Sequence, residues 1–240
     1  MPAIPAFVTD ELSQLGVTLD PSQLDTLARY LDRLLDTTQR INLTAVREPD
    51  AAWRRLIIDS LSLVPGFEPV AEDATIIDIG TGGGLPGIPL AIARPDLRVT
   101  LLEATGKKVR FLNECIEALG LTNTRAIQQR AELLGQDPAH RQQYDIAVSR
   151  AVGPMTEVLE YSLPLVKVGG RVLAMKGPKL EQELAAAGDA LGILGAGDME
   201  VFEAYPPNFK QDLVIASIIK DRATPGMYPR RPGVPKHEPL

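Results

Sequence analysis

The stretch Thr75–Ile88, TIIDIGTGGGLPGI, limits what this chain can fold into more than any other. Thr75–Ile79 crowds β-branched apolar residues and stops abruptly at glycine, the pattern of a buried strand. Gly80, Gly82, Gly83 and Gly84 then fall within five residues. Glycine lets a backbone turn tightly with positive φ and lie against a ligand with no Cβ between them. Pro86 stands where a helix can begin, since its fixed φ suits a first turn and its missing N–H costs nothing there. Strand, glycine loop and helix start, in that order, make a nucleotide-binding turn.

The 240 residues suffice for one large α/β domain, or for a core domain with a smaller attachment, and 45% hydrophobic content supports a substantial core. Charged residues interrupt every apolar run, so no bilayer-spanning segment is expected. The N-terminus lacks the basic region and long apolar run of a secretory signal. Cys115 is the only cysteine, which excludes an internal disulfide and fits a reducing, cytoplasmic setting. It reads as a small core residue. A net charge of −6 argues against coating nucleic acid nonspecifically, while leaving room for a local basic surface. His140 and His237 are the only histidines and stand in no ligand spacing, so no metal site is expected.

Residues 1–70 read as a helical extension. A short first helix has Thr9 as its cap and Leu12 and Leu15 as its contacts. Asp20, Pro21 and Gln23 signal a stronger start, and Leu24, Leu27, Leu31, Leu34 and Leu35 repeat at helical spacing as a packing face. Glu48 and Pro49 open another helix with Trp53, Ile57, Leu61 and Val64 inward. Arg55 and Asp59 stand at i,i+4 on it. Arg40, Arg47, Arg54 and Arg55 place four guanidinium groups in sixteen residues, which reads either as solvated ion pairs or as a phosphate-contacting patch.

Residues 71–221 alternate strand and helix, with strands expected at 75–80, 98–103, 123–128, 144–149 and 171–176. Helix 107–119 carries Val109, Leu112, Ile116 and Leu119 on one stripe. Two last strands, near 199–205 and 211–219, are expected to pair antiparallel through a loop containing Pro206, Pro207 and Asn208. Residues 222–240, with five prolines and with Arg230, Arg231 and Lys236, read as an extended basic tail without its own core. It is either solvated or an RNA-touching arm.

The glycine loop alone is ambiguous, because Gly82, Gly84 and Gly87 also satisfy the dinucleotide pattern G-x-G-x-x-G. Glu103, ending a strand one βα unit later, can accept both ribose hydroxyls of any bound nucleoside. Arg130, Ala131 and Glu132 follow the third strand, where a backbone N–H and a side chain can meet an adenine ring. Ser149 and Arg150 end the fourth strand, and Lys176 ends the fifth. Carboxyl-terminal strand ends gather at one edge of an open α/β sheet, where ligands bind.

The segments INLTAVRE, RRLIIDSL, IIDIGTGGGLPGIPLAI, LLEATGKKVRFL, RAE, SRAV and MKGP occur in the order found in the RsmG (GidB) family, which this chain resembles over residues 20–220. Its tail, YPRRPGVPKHEPL, is similar to the ending of many members. The resemblance implies a class I S-adenosylmethionine-dependent methyltransferase fold, Rossmann-like, with a seven-stranded mostly parallel sheet and a C-terminal antiparallel hairpin. It implies methylation of guanine N7 in 16S rRNA, at guanine 527 of the 530 loop, with 16S rRNA or the small ribosomal subunit as partner. By the same resemblance, S-adenosylmethionine contacts Asp78, Gly80, Gly82 and Leu85 in the loop, Glu103 at the ribose, Ala131 and Glu132 at the adenine, and Arg150 beside them. Arg150, Asn42 and Lys176 are positioning candidates. Arg47, Arg54, Arg55, Asp59, Lys176, Arg230 and Arg231 are candidates on the RNA side. Members often have RHILDS where this chain has RLIIDS, so a role for that imidazole does not transfer to Leu56. Guanine N7 has an in-plane lone pair and no proton, so no acid–base residue is required. A nicotinamide-dependent oxidoreductase and a non-enzymatic ribosome-assembly binder stand as alternatives.

Overall fold

The computed structural model describes residues 4–67, 70–205 and 213–240. The core is one seven-stranded sheet: β1 (Thr75–Ile79), β2 (Arg98–Glu103), β3 (Thr124–Gln128), β4 (Tyr144–Arg150), β5 (Val166–Lys176), β6 (Ala196–Glu203) and β7 (Val214–Lys220). Their order across the sheet is β3-β2-β1-β4-β5-β7-β6. The first five strands pair in parallel, whereas β7 runs antiparallel to both β5 and β6. The antiparallel pairing of the last two strands thus matches the sequence expectation; its expected loop residues Pro206, Pro207 and Asn208 lie outside the described residues.

Two strands begin earlier than their hydrophobic runs suggest. Val166 already pairs with Tyr144, and the register shift between Tyr144 and Ile146 is bridged by Gly169 and Gly170. A Cβ on Gly170 would stand 2.5 Å from the Asp145 carbonyl oxygen, so the approach requires glycine. A similar shift between Ala196 and Met199 starts β6.

Helices α1 (Phe7–Gln14) and α2 (Pro21–Thr38) precede the sheet. Ala6, not Thr9, caps α1; Thr9 lies inside the helix, its hydroxyl donating to the Ala6 carbonyl at 3.3 Å. The α2 start is as expected: Asp20 accepts from the Gln23 N–H at 2.8 Å while the Gln23 side chain accepts from the Asp20 N–H at 2.9 Å. The Gln23 amide also donates to the carbonyls of Ile92 and Ala93, at the end of α5 (Gly87–Ala93). Arg29 donates to Ala118 near the end of α6 (Gly106–Leu119) at 2.7 Å. One side chain therefore caps its own helix and ties it to another. Leu27, Leu31 and Leu34 are buried in a cluster continuous with Ile76, Ile88 and Leu101, so the extension packs onto one face of the sheet.

Glu48 opens the next helical segment, its carboxylate accepting from the N–H groups of Asp50 and Ala51. The segment comprises α3 (Pro49–Ala52), a π-helical stretch Trp53–Ile58 and α4 (Asp59–Leu61). Asp59 ion-pairs with Arg150 at 3.8 Å, and the Arg55 charge also acts on it. Trp53, Ile57 and Leu61 still point inward, while Val64 is only partly buried.

The opposite face is covered by α7 (Ala131–Leu134), α8 (Met155–Ser162), α9 (Leu180–Ala186) and α10 (Gly188–Leu194). The proline-rich tail has little regular structure, only α11 (Val234–His237), as its composition suggests. It is not a free arm: Pro229 and Pro235 are buried, and Leu240 packs on the cluster around α8. Arg141 donates to the tail carbonyls of Thr224 and Tyr228 at 2.7 Å each.

Gly87 allows α5 to lie against β2. A Cβ there would stand 2.2 Å from Leu101 Cδ2 and 2.8 Å from Asp78 Oδ2. Gly87→Ala should lower stability by about 1–3 kcal/mol through overpacking, whereas Gly177→Ala, which meets nothing within 4 Å, should have little effect. Equal denaturant midpoints for Gly87→Ala and the wild type would contradict the packing argument.

Candidate functional site

The strand order reverses between β1 and β4, which places a crevice at their carboxyl ends. The glycine loop leaves β1 there. Asp78, fully buried near the end of β1, holds it: its Oδ2 accepts from the Thr81 hydroxyl and, at 2.8 Å, from the Gly87 N–H. One carboxylate oxygen thus ties the strand to the loop and to the start of α5. Gly80, Gly82 and Gly84 take φ of +66°, +60° and +98°, values that only glycine adopts without strain.

Glu103, at the end of β2, lies across the same loop. Its two oxygens accept from the Gly82 N–H at 3.1 Å and the Thr105 N–H at 2.8 Å, with Lys108 Nζ 3.8 Å away. An ionised carboxylate offers about four acceptor sites, so each oxygen keeps one for a ligand. Ala131 and Glu132 begin α7 beyond β3, so their main-chain N–H groups have no acceptor within that helix. Glu132 is buried, and its Oε1 accepts from the Gly233 N–H of the tail at 2.9 Å. Leu85, half-buried, lies in the same loop as Gly80 and Gly82. These six positions therefore surround the end of the β1–β2–β3 half of the sheet.

Arg150 ends β4 and is followed by Ala151 at φ +54°, a left-handed backbone that is strained for a residue with a side chain. Its Nη2 donates to the Arg55 carbonyl and lies 3.8 Å from Asp59 Oδ2. Arg55 belongs to the π stretch and Asp59 follows it directly. Asp59 is buried and accepts a hydrogen bond from the Tyr205 hydroxyl. Burial pushes the Asp59 carboxyl up; the bond from Tyr205 and the charges of Arg150 and Arg55 oppose this. Arg150 Nη1 and Asp78 Oδ1 are buried with no hydrogen-bond partner among the described residues.

Arg55, Asp59 and Arg150 line an adjoining cleft of 970 Å³, together with Glu48, Arg54 and Gly177. Two smaller clefts of 570 and 540 Å³ open at the opposite edge, around Arg98 and Lys167. That edge carries the amino ends of the parallel strands, away from where open α/β sheets bind ligands.

The remaining candidates separate clearly. Arg47 and Arg55 are exposed, Arg47 donating to the Thr44 carbonyl at 2.6 Å. Asn42 is exposed in a segment whose Leu43 packs beside Gly83. Arg54 is tied to α1, ion-paired with Glu11 at 2.9 Å and stacked 3.6 Å above the Phe7 ring centre. Lys176 is 8% exposed, its ammonium bonded to the Gly153 carbonyl at 2.6 Å and to Glu183 at 2.7 Å. Arg230 is bonded to the buried Glu160, and only Arg231 of that pair is exposed. Arg54, Lys176 and Arg230 thus have structural partners that spacing alone did not reveal. Leu56 is buried in the helical core and does not line the cleft.

Tyr30 was hidden in the leucine stripe of α2. It is fully buried and its hydroxyl donates to the Gly83 carbonyl at 2.8 Å, fixing the loop from the extension side. The only sequence signal was a hydroxyl on an apolar face, which needs a partner when buried. Tyr205 had no signal in the pattern around it.

The family model described as "rRNA small subunit methyltransferase G" matches residues 23–207. A Ribosomal RNA small subunit methyltransferase G from Moorella thermoacetica is 43% identical over 225 residues, covering 94% of this chain and 93% of the relative. One from Leuconostoc citreum is 38% identical over 238 residues, 99% of each chain. The chain belongs to the rRNA small subunit methyltransferase G family. Solved structures share the fold at lower identity. A SAM-dependent O-methyltransferase from Thermotoga maritima superposes with a TM-score of 0.53 at 19% identity, over 79% of this chain and 72% of that one. A SAM-dependent methyltransferase from Aquifex aeolicus gives 0.52 at 20% identity, over 72% and 94%. Membership of the methyltransferase G family displaces the oxidoreductase reading of Gly82, Gly84 and Gly87. Gly87 lies within α5 and its N–H is already bonded to Asp78, so it is not open to a pyrophosphate.

Burial raises the Asp78 carboxyl from 3.8 to about 7, against the opposing bonds from Thr81 and Gly87. Between those values the folded state holds a proton that the unfolded chain has released, so this group's contribution to stability falls as pH rises. Asp78→Asn abolishes that titration. Denaturant unfolding at about pH 5 and about pH 8 should show the wild type losing stability relative to the variant. A constant difference between the two proteins would contradict the raised carboxyl.

Proposed function

We propose that this protein transfers the methyl group of S-adenosylmethionine to guanine N7 of small-subunit rRNA, at the 16S position implied by the sequence resemblance. The observation that carries the reading is the convergence of the glycine loop, Glu103 and the α7 amides beside a cleft lined by Arg55, Asp59 and Arg150. The residues fit the cofactor. The loop glycines leave room for its backbone approach, Glu103 keeps acceptor sites for both ribose hydroxyls, and the first N–H groups of α7 suit adenine ring nitrogens. The cofactor supplies an electrophilic methyl group on a sulfonium.

Guanine N7 carries no proton, so the protein needs no general base to prepare it. Neither histidine stands at the site. His140 bonds Tyr144 at the opposite end of β4 from Arg150, and His237 lies in the tail helix. Burial pushes the Cys115 thiol up to about 12, which makes it a poor nucleophile. What remains is positioning, and alignment of reacting atoms can lower a barrier by about 7–11 kcal/mol in favourable cases. Arg150 is held in place by the Arg55 carbonyl and Asp59 and lines the cleft, where a guanidinium can donate to guanine O6 and adenine presents a donor instead. Arg47 and Arg55 meet the RNA backbone at the mouth of the cleft, with Asn42 beside the glycine loop.

Incubating the protein with labelled S-adenosylmethionine and naked rRNA, small subunits or whole ribosomes tests the assignment; label absent from guanine N7 in all three defeats it. RNA-particle binding without transfer would favour the assembly-binder alternative. Glu103→Gln should weaken cofactor binding about tenfold or more, since hydrogen bonds to a charged group contribute about 1.5–3 kcal/mol. Unchanged affinity by calorimetry would remove Glu103 from the ribose. Arg55→Ala should lower the rate at limiting RNA several-fold and leave cofactor affinity intact, because the Arg55 carbonyl that holds Arg150 is retained. Equal loss of both would point to damage of the fold instead.

A further inference from the structure

The tail is stitched to the part of the chain that follows β3 more densely than a terminal segment requires. Glu160 of α8 has a side chain only 1% exposed, and it receives four hydrogen bonds from Arg230: from the main-chain N–H at 2.8 Å, from Nε at 2.9 and 3.2 Å, and from Nη2 at 2.7 Å. Three residues later the Gly233 N–H donates to Glu132, which begins α7. Just before Arg230, Pro229 lies over Gly135, where a Cβ would stand 2.7 Å from its ring. The Gln136 amide donates to the Gly226 and Pro229 carbonyls at 3.2 and 2.9 Å. Arg141 spans the Gly135, Thr224 and Tyr228 carbonyls. Every one of these ties lands on α7, on the turn after it, or on α8.

The carboxylates of Glu132, Glu157 and Glu160 all lie around Tyr161, and together with burial they raise its hydroxyl pKa. Arg230 is the cation that offsets this group. Removing it leaves Glu160 buried without its charge partner, a costly state that is relieved when the tail lifts and water enters. Lifting the tail also removes the hydrogen bond that fixes the Glu132 carboxylate, and it uncovers the turn that supports the first N–H groups of α7.

We propose that residues 224–233 form a clasp that sets the adenine side of the nucleotide pocket, with Glu160 and Glu132 as positioning residues and Arg230 as the latch. This rests on the reading that Ala131 and Glu132 meet the cofactor's adenine. The clasp acts on cofactor affinity and leaves the rate of transfer from a saturated site unchanged.

The test uses the full chain. Calorimetry with S-adenosylhomocysteine is compared for the wild type, Arg230→Ala, Arg230→Lys and Gln136→Ala, alongside hydrogen exchange and steady-state methyl transfer. Arg230→Ala should weaken S-adenosylhomocysteine binding about tenfold, a change equivalent to about 1.4 kcal/mol. The KM for S-adenosylmethionine should rise in proportion at unchanged kcat, with residues 224–237 losing amide protection while β1, β2 and β4 keep theirs. Arg230→Lys, which retains a charge, should recover part of the loss, and Gln136→Ala should move affinity in the same direction by a smaller factor. Unchanged affinity with a deprotected tail overturns the clasp, as does loss of protection throughout the sheet, which would make the tail a general staple. A wild type that binds no S-adenosylhomocysteine overturns the cofactor reading itself, and the clasp with it.

Discussion

The Asp78 carboxylate is the interaction on which the rest of the site depends. It sits near the end of β1 with no exposure to solvent, and one oxygen holds both the Thr81 hydroxyl and the Gly87 N–H. That arrangement closes the glycine loop and brings α5 close enough to β2 that only hydrogen fits at position 87. A buried carboxylate is costly unless it is hydrogen-bonded, and burial accordingly pushes this carboxyl above its ordinary value. The loop is therefore held in one shape by a group that is itself uncomfortable, a common arrangement where a backbone must be ready for a ligand.

A second constraint comes from outside the sheet. The helical extension presses on the same loop through Tyr30 and Leu34, and Leu43 lies beside it. The following helix reaches β4 through the Arg55 carbonyl and Asp59. The π stretch Trp53–Ile58 supplies the Arg55 carbonyl and Asp59 follows it, and π turns often occur at functional places. The extension thus completes one wall of the cleft, and the proline-rich tail is bonded to Glu132 and Glu160 on the far side of the sheet.

Much of this was legible in the residues. The Asp20–Gln23 capping box, the leucine stripe of α2, the Glu48–Pro49 start and the alternation of strands are local patterns, each set by neighbours in sequence. The convergence of Gly80, Glu103, Ala131 and Arg150 followed from the rule that parallel strands end at one edge. The partners of long charged side chains were not legible. Arg54, Lys176 and Arg230 were equally plausible as RNA contacts by composition, yet each is bonded to a carboxylate that spacing did not single out: Glu11, Glu183 and Glu160. A flexible side chain several bonds long reaches whatever the fold places near it, and spacing carries no information about that.

By itself, then, the sequence determined the strand–loop–helix turn and the mostly parallel sheet, because glycine, proline and period-specific apolar residues act through their own backbone and nearest neighbours, while the family was carried by the resemblance of its motifs. Tertiary structure decided which arginines stand free at the cleft, that Tyr30 and Tyr205 serve the site, and that the tail lies against α7 and α8 instead of extending into solvent. Those outcomes depend on which buried donor finds which buried acceptor across the fold, and only the packed chain brings the two together.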